Sequence, residues 1–237
     1  FQYCIIMDKI KHVFFDLDRT LWDFEKTALQ AFDKIYIKYN LNKYGIPSGK
    51  AFHDSYSVHN DKLWDQYRKG EIKKDVLRGL RFKLTINEFG VYDDELAEQI
   101  GNEYVRISPL IVNLFPNAIE VLDYLYPKYK LHIITNGFAE VQAVKLSESG
   151  MIKYFDKVIT SEEAGVKKPD PQIFLHAFTE SGAKPSESIM IGDDFEVDIL
   201  GAMNVGAKQI FFDPNFIKKS NACDYTIRNL KEIMDIL

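Results

Sequence analysis

The chain alternates between two patterns of hydrophobic and polar positions. One is a set of short apolar runs, at residues 10–15 (IKHVFF), 130–135 (KLHIIT), 157–160 (KVIT), 188–191 (SIMI) and 208–212 (KQIFF). Runs this short, bounded by turn residues, read as strands buried on both faces. Between them the apolar residues recur at helical spacing, predicting helices over 116–126, 138–149, 169–181 and 195–204. Pro116 and Pro169 suit first-turn positions, and Gly150 and Gly206 suit helix exits. A strand at 224–227 and a helix at 229–237 close the chain. Strands alternating with helices predict an α/β fold, a doubly wound (Rossmann-like) parallel sheet covered on both faces.

The second pattern runs from about Leu21 to Ile111 and is helical throughout. Phe24, Ala28, Phe32, Ile35, Tyr36 and Tyr39 share one helical face. Further helical patterns cover 49–69, 73–88 and 93–108. The reading is an α/β core of residues 7–20 and 112–237, interrupted by an all-helical cap of residues 21–111.

Composition narrows the class. The 237 residues are 46% hydrophobic and 27% charged, which suits a well-packed globular protein and excludes a disordered one. A net charge of −5 argues against a nucleic acid polymer as partner, because phosphate-backbone binding needs a basic surface. The two cysteines, Cys4 and Cys223, form no CxxC and no His/Cys cluster, so neither a disulfide scaffold nor a zinc site is expected. Nor do the five histidines show metal-ligand spacing. No apolar run approaches the roughly 20 residues of a membrane span. Residues 1–7 lack a basic region and a cleavage site, so no signal peptide is expected. Met7 is a candidate natural start, with residues 1–6 as leader. A cytoplasmic location follows as an expectation.

Four places carry candidate chemistry, all at strand ends, where ligands of doubly wound sheets sit. Asp16 and Asp18 follow the first strand, with Thr20 close behind. Two such carboxylates can divide labour, one attacking or binding metal while the other moves protons. A turn with a helix cap explains the same spacing. Thr135-Asn136-Gly137 opens the next helix, as an anion site of hydroxyl and backbone N–H groups or as an ordinary capped turn. Of Lys167 and Lys168, Lys168, just before Pro169, is the better placed to reach a phosphate as a point charge, though a surface lysine reads the same way. Last comes Gly192-Asp193-Asp194-Phe195-Glu196-Val197-Asp198, four acids in six residues. Helix-terminus electrostatics favour each acid by only about 0.3–1 kcal/mol. Crowding them calls for a cation, and hard oxygen donors select Mg²⁺ over zinc.

Taken in order, Asp16-x-Asp18-x-Thr20, Thr135-Asn136, Lys168-Pro169 and Gly192-Asp193-Asp194 with Asp198 resemble the four signatures of haloacid-dehalogenase-like hydrolases. The resemblance implies an Mg²⁺-dependent phosphomonoesterase with Asp16 as nucleophile and Asp18 as general acid, then base. It implies that Thr135, Asn136, Lys168 and the backbone of Leu17 and Asp18 bind phosphate. The Asp16 carboxylate, the Asp18 carbonyl and Asp193 would hold the ion, supported by Thr20, Asp194 and Asp198. Dehalogenating members typically lack the second aspartate, so Asp18 points to phosphoryl chemistry. The helical insert is similar to the small cap of phosphoglycolate phosphatases, β-phosphoglucomutases and nucleotidases.

The stretch 15–24 (FDLDRTLWDF), Leu63-Trp64 with residues 67–72, and Arg81-Phe82 look most like the pyrimidine 5′-nucleotidase branch. The partner that branch implies is a small phosphorylated metabolite, a nucleotide. Arg19 departs from the glycine frequent at its position. Arg19, Trp22, Tyr67, Arg68 and Arg81 are candidate specificity residues. The aromatics Trp22, Phe24, Phe52, Tyr56, Trp64 and Tyr67 suit either a stacked base or the cap's own core. Sugar-phosphate or phosphoglycolate hydrolysis, phosphoryl transfer of the β-phosphoglucomutase kind, and phospholigand binding without turnover are the alternatives.

Overall fold

A computed structural model of the chain describes residues 9–216 and 223–237; Cys4, Met7 and the expected leader lie outside the described residues. Among the described residues six strands occur: β1 (His12–Phe15), β2 (Lys130–Thr135), β3 (Phe155–Thr160), β4 (Ser188–Gly192), β5 (Lys208–Phe212) and β6 (Tyr225–Ile227). All neighbouring pairs are parallel, in the order β3-β2-β1-β4-β5-β6. β1 and β4 are buried at every position, the result of covering both faces with helices. The strand order reverses at β1, with β2 on one side and β4 on the other, and that switch point opens a crevice at the carboxyl ends. Phe15 is level with Ile133 and Ile191, so the residues that follow all three strands reach the same edge.

Among the described residues, seven helices run eight residues or longer: α1 (Phe24–Lys38), α2 (Gly49–Arg68), α3 (Lys74–Glu88), α4 (Asp94–Ile107), α5 (Ala118–Leu125), α6 (Ala139–Glu148) and α7 (Pro171–Ser181). The chain divides into two compact units, Phe24–Val112 and the α/β remainder. The helical unit packs around Phe32, whose ring centroid lies 4.7–5.0 Å from those of Phe52, Tyr56 and Tyr104. Ser48 and Asp93 cap α2 and α4 by accepting from Ala51 N and Leu96 N. Among the described residues no helix is long and apolar enough to cross a membrane.

The structure corrects the sequence reading in four places. Leu21 and Trp22, placed with the insert, are fully buried in the α/β unit. Backbone bonds from Phe115 N to Leu21 O and from Asp23 N to Asn113 O tie the two crossing segments together there. Pro116 and Pro169 precede their helices rather than enter them. α5 starts after Asn117 at φ 66, and α7 starts at Pro171 because Asp170 is the better N-cap, accepting from Gln172 N. The expected helix at 195–204 begins as a π-helical turn, Phe195–Leu200, before the α-helical turn Gly201–Asn204. The last helix is a 3₁₀ segment, Leu230–Asp235, held by a capping box of Asn229 and Glu232.

Candidate active site

At the end of β1, Asp16 N donates to Ile191 O, which continues the ladder one residue past the strand. The chain then folds back tightly. Leu17 O accepts from both Leu21 N and Trp22 N, and Arg19 N donates to Trp22 O. Arg19 sits at φ 64, the left-handed region where glycine has no steric cost, which accounts physically for the glycine frequent there in the family it resembles. This loop presents Asp16 and Asp18 on the switch-point edge.

Lys168 reaches the same edge from the segment before α7 and is 1% exposed. Its Nζ donates to Asp16 Oδ1 at 2.6 Å, to Asp198 Oδ1 at 2.6 Å and to Ile134 O at 2.8 Å. Asn136 fixes its backbone from both sides, donating Nδ2 to Lys168 O and accepting at Oδ1 from Lys168 N. The Asn136 side chain thereby positions Lys168, a use the motif did not announce. Lys167 is half-buried and Lys168 is the lysine at the acids.

The acidic motif after β4 divides in its uses. Asp194 accepts from Glu196 N and Val197 N, capping the π-helical turn. Asp198 N and Ile199 N both point at Asp194 O, and the widened turn brings the Asp198 side chain inward. Asp198 uses one oxygen on Lys168 and the other on Asp194 N. Asp193 receives the Thr20 hydroxyl at 3.2 Å. Asp16, Asp193 and Asp198 each place a carboxylate oxygen within 4.8 Å of the others.

Buried Asp16 and Asp198 and half-buried Asp193 cluster around one ammonium, so the site carries excess negative charge. Burial, with Asp198 adding to it, pushes the Asp16 carboxyl up to about 7 against the pull of Lys168. Burial, then Asp16 and Asp198, push Asp193 well above the ordinary carboxylate range, while Arg19 opposes the shift. Burial also raises Asp198. Burial alone would lower the Lys168 ammonium, but Asp16 and Asp198 hold it above the usual lysine value. An all-oxygen donor set with uncompensated negative charge fits a hard divalent cation. Because both Asp198 oxygens have protein donors, Asp16 and Asp193 are the carboxylates suited to reach such an ion.

The second aspartate has its own partners, which sequence reasoning missed. Asp18 Oδ1 accepts from Lys145 Nζ at 2.5 Å and Oδ2 from Gln142 Nε2 at 2.8 Å. Gln142 Nε2 also donates to Thr135 Oγ1 at 2.9 Å, and Gly137 N donates to the same oxygen at 3.0 Å. The only sequence signal for these residues is faint: Gln142 and Lys145 fall, with Leu146, on the buried stripe of α6, where apolar residues are usual.

Of the candidate specificity residues, Arg19 lies on the loop after β1, where its charge acts on Asp193. Trp22 is fully buried in the α/β unit, its ring 5.5 Å from Lys145 Nζ, so it packs the loop rather than facing a substrate. Arg81 is buried inside the helical unit, donating to Tyr56 Oη and Asn60 Oδ1. Tyr67 packs edge-on against Trp64, and half-buried Arg68 lies 3.7 Å from Asp65. Phe52 and Tyr56 are interior residues, not a stacking platform.

A doubly wound sheet with paired aspartates, a buried lysine and a third acid at its switch point defines an α/β enzyme built around a carboxylate–lysine centre. The model of the haloacid dehalogenase-like hydrolases matches residues 10–206, and the chain belongs to that family. Pyrimidine 5′-nucleotidase YjjG of Escherichia coli is 32% identical over 231 residues, covering 95% of this chain and 96% of the relative. A glyceraldehyde 3-phosphate phosphatase of Methanothermobacter thermautotrophicus is 31% identical, over 95% of this chain and 100% of its own. Among solved structures, the HAD-hydrolase YfnB of Bacillus subtilis, bound to magnesium, superposes with a TM-score of 0.83 at 25% identity, covering 96% of this chain and 98% of that one.

Proposed function

We propose that the protein is a magnesium-dependent phosphomonoesterase that works through an aspartyl-phosphate on Asp16, with pyrimidine nucleoside 5′-monophosphates as substrates. The observation that carries the reading is the Lys168 ammonium, bonded to Asp16 with its backbone clamped by Asn136, beside a carboxylate cluster that calls for a cation. A phosphate dianion repels a carboxylate nucleophile, and fixed positive charge must offset that repulsion. Lys168 supplies part of it. Asp16, Asp193 and the Asp18 carbonyl would hold Mg²⁺, which would supply the rest as a Lewis acid.

The residues then divide the work. Asp16 attacks phosphorus through the oxygen that Lys168 does not hold, and the P–O bond to the leaving group breaks as Asp18 protonates the departing oxygen. Asp18, now ionised, takes a proton from water. That water attacks phosphorus, releasing inorganic phosphate and restoring the Asp16 carboxylate. Thr135 Oγ1 already accepts two bonds, which leaves its proton to donate to a phosphoryl oxygen. The backbone N–H groups of Leu17 and Asp18 complete the phosphate site in this reading. A proton-carrying role for Asp18 also separates the protein from the dehalogenating members of its family.

Asp16→Asn is expected to lower turnover at least about a thousandfold, with circular dichroism unchanged. Residual activity near wild type would remove Asp16 as nucleophile. A second reading of substrate comes from the glyceraldehyde 3-phosphate phosphatases, which are as similar to this chain as the nucleotidases. A screen of nucleotides, triose and sugar phosphates and phosphoglycolate, with and without Mg²⁺, decides between them. Pyrimidine monophosphates that turn over no faster than glyceraldehyde 3-phosphate would end the nucleotidase assignment and leave the phosphatase one standing.

A further inference from the structure

We infer that Gln142 and Lys145 on α6 are positioning residues that aim Asp18 at the leaving group and Thr135 at the phosphoryl group. The inference rests on the phosphatase reading and adds two residues to it. Each Asp18 oxygen has its own donor, Lys145 Nζ at 2.5 Å and Gln142 Nε2 at 2.8 Å, and the two donors stand three residues apart on one face of a helix. A carboxylate on a turn, otherwise free to rotate, is thereby held by both oxygens. Gln142 bridges onward to Thr135 Oγ1 at 2.9 Å, coupling the proton-transferring residue to the phosphate-facing hydroxyl.

The supporting shell is itself built in. Gln142 is 1% exposed and Lys145 5%. A Cβ on residue 137 would run into the Gln142 amide, so Gly137 is what leaves room for it. The Lys145 ammonium lies 5.5 Å over the ring of buried Trp22, whose backbone bridges to Asp18 itself. Lysine is rarely this buried unless paired and glutamine is mostly exposed, and here both point their polar ends at one carboxylate.

A counter-charge that merely stabilises the loop would affect all substrates alike. A positioning role does not, because an alkoxide must be protonated as it leaves whereas p-nitrophenolate leaves unaided. The test is kcat/KM, which reports steps through the first phosphoryl transfer, for Lys145→Met, Gln142→Leu and Gly137→Ala. One substrate is p-nitrophenyl phosphate. The other is whichever of uridine 5′-monophosphate and glyceraldehyde 3-phosphate the wild type prefers. For Lys145→Met the expected result is a loss of about tenfold to a hundredfold on the alkyl ester, at most about threefold on p-nitrophenyl phosphate, and substantial recovery in Lys145→Arg. Gln142→Leu and Gly137→Ala, which also release Thr135, should lose on both substrates but several-fold more on the alkyl ester. Gly137→Ala displaces Gln142 without altering either donor, so it carries the test should Lys145→Met fail to fold. Equal losses on both substrates, or no loss on either, would overturn the inference. An inactive Asp16→Asn alongside an unselective Lys145→Met would sink only this inference, whereas an active Asp16→Asn would sink the phosphatase reading beneath it.

Discussion

At the scale of single residues, the site is held by close approaches that leave little tolerance. Gly192 ends β4 where a Cβ would collide with the Asp198 carboxylate. That carboxylate is no flexible tip: it is 1% exposed and fixed by Lys168 and Asp194 N. Gly192→Ala is therefore expected to cost about 1–3 kcal/mol by overpacking, lowering the melting temperature by several degrees. It should also reduce turnover, since Asp198 holds the lysine that holds Asp16. A variant melting like wild type would show that Asp198 can move aside. Asp16 and Asp193 were legible from their places after strands, because strand ends in this architecture are where ligands bind, and Lys168 from its place just before Pro169. The hold that Asn136 has on Lys168 was not, since it depends on a partner 32 residues away.

Among the elements, α1 and α4 are joined in the helical unit by an ion-pair network as well as by rings. Glu103 accepts from Arg106 at 2.7 and 3.0 Å and lies 2.9 Å from Lys38. The Arg106 hydrogen bonds first, then Lys38, hold the Glu103 carboxyl down at about 2, against 4.5 unperturbed. A depressed acid contributes stability that is present above its unfolded value and lost as pH falls through the folded one. Glu103→Gln should thus destabilise the protein by no more than about 1 kcal/mol near neutrality, the partners being exposed. The difference from wild type should shrink as pH drops from 4.5 towards 2. Urea titrations of both proteins across that range measure it, and a pH-independent difference would assign the effect to packing. The helices of this unit were readable from their 3.6-residue period. The π-helical turn was not, because its widening answers to Asp198 and Asp194 rather than to any local apolar pattern.

For the whole molecule, the governing quantity is the charge gathered at the switch point of the sheet. Burial raises Asp16, Asp193 and Asp198 above their unfolded values, Asp16 to about 7. Groups raised in this way contribute stability below the unfolded value that is lost as pH rises through the folded one. A cation at the cluster offsets that loss, and it does so more fully where the acids are ionised. Excess Mg²⁺ should therefore raise the melting temperature more at about pH 8 than at about pH 5, as read by thermal denaturation with and without chelator. Equal shifts at both pH values would place the ion away from these carboxylates.

The sequence by itself determined the α/β class, the interrupted chain and the four motifs, because each rests on short-range pattern: apolar runs, helical period, acids next to a strand and a lysine just before a proline. Only the tertiary structure decided that Trp22 is a packing residue of the α/β unit and that Arg81 is interior to the helical one. It alone showed that Gln142 and Lys145 converge on Asp18 from more than a hundred residues away. Those outcomes depend on which side chains meet once the parallel sheet and its helices have brought distant segments within hydrogen-bonding distance, and no local periodicity encodes that meeting.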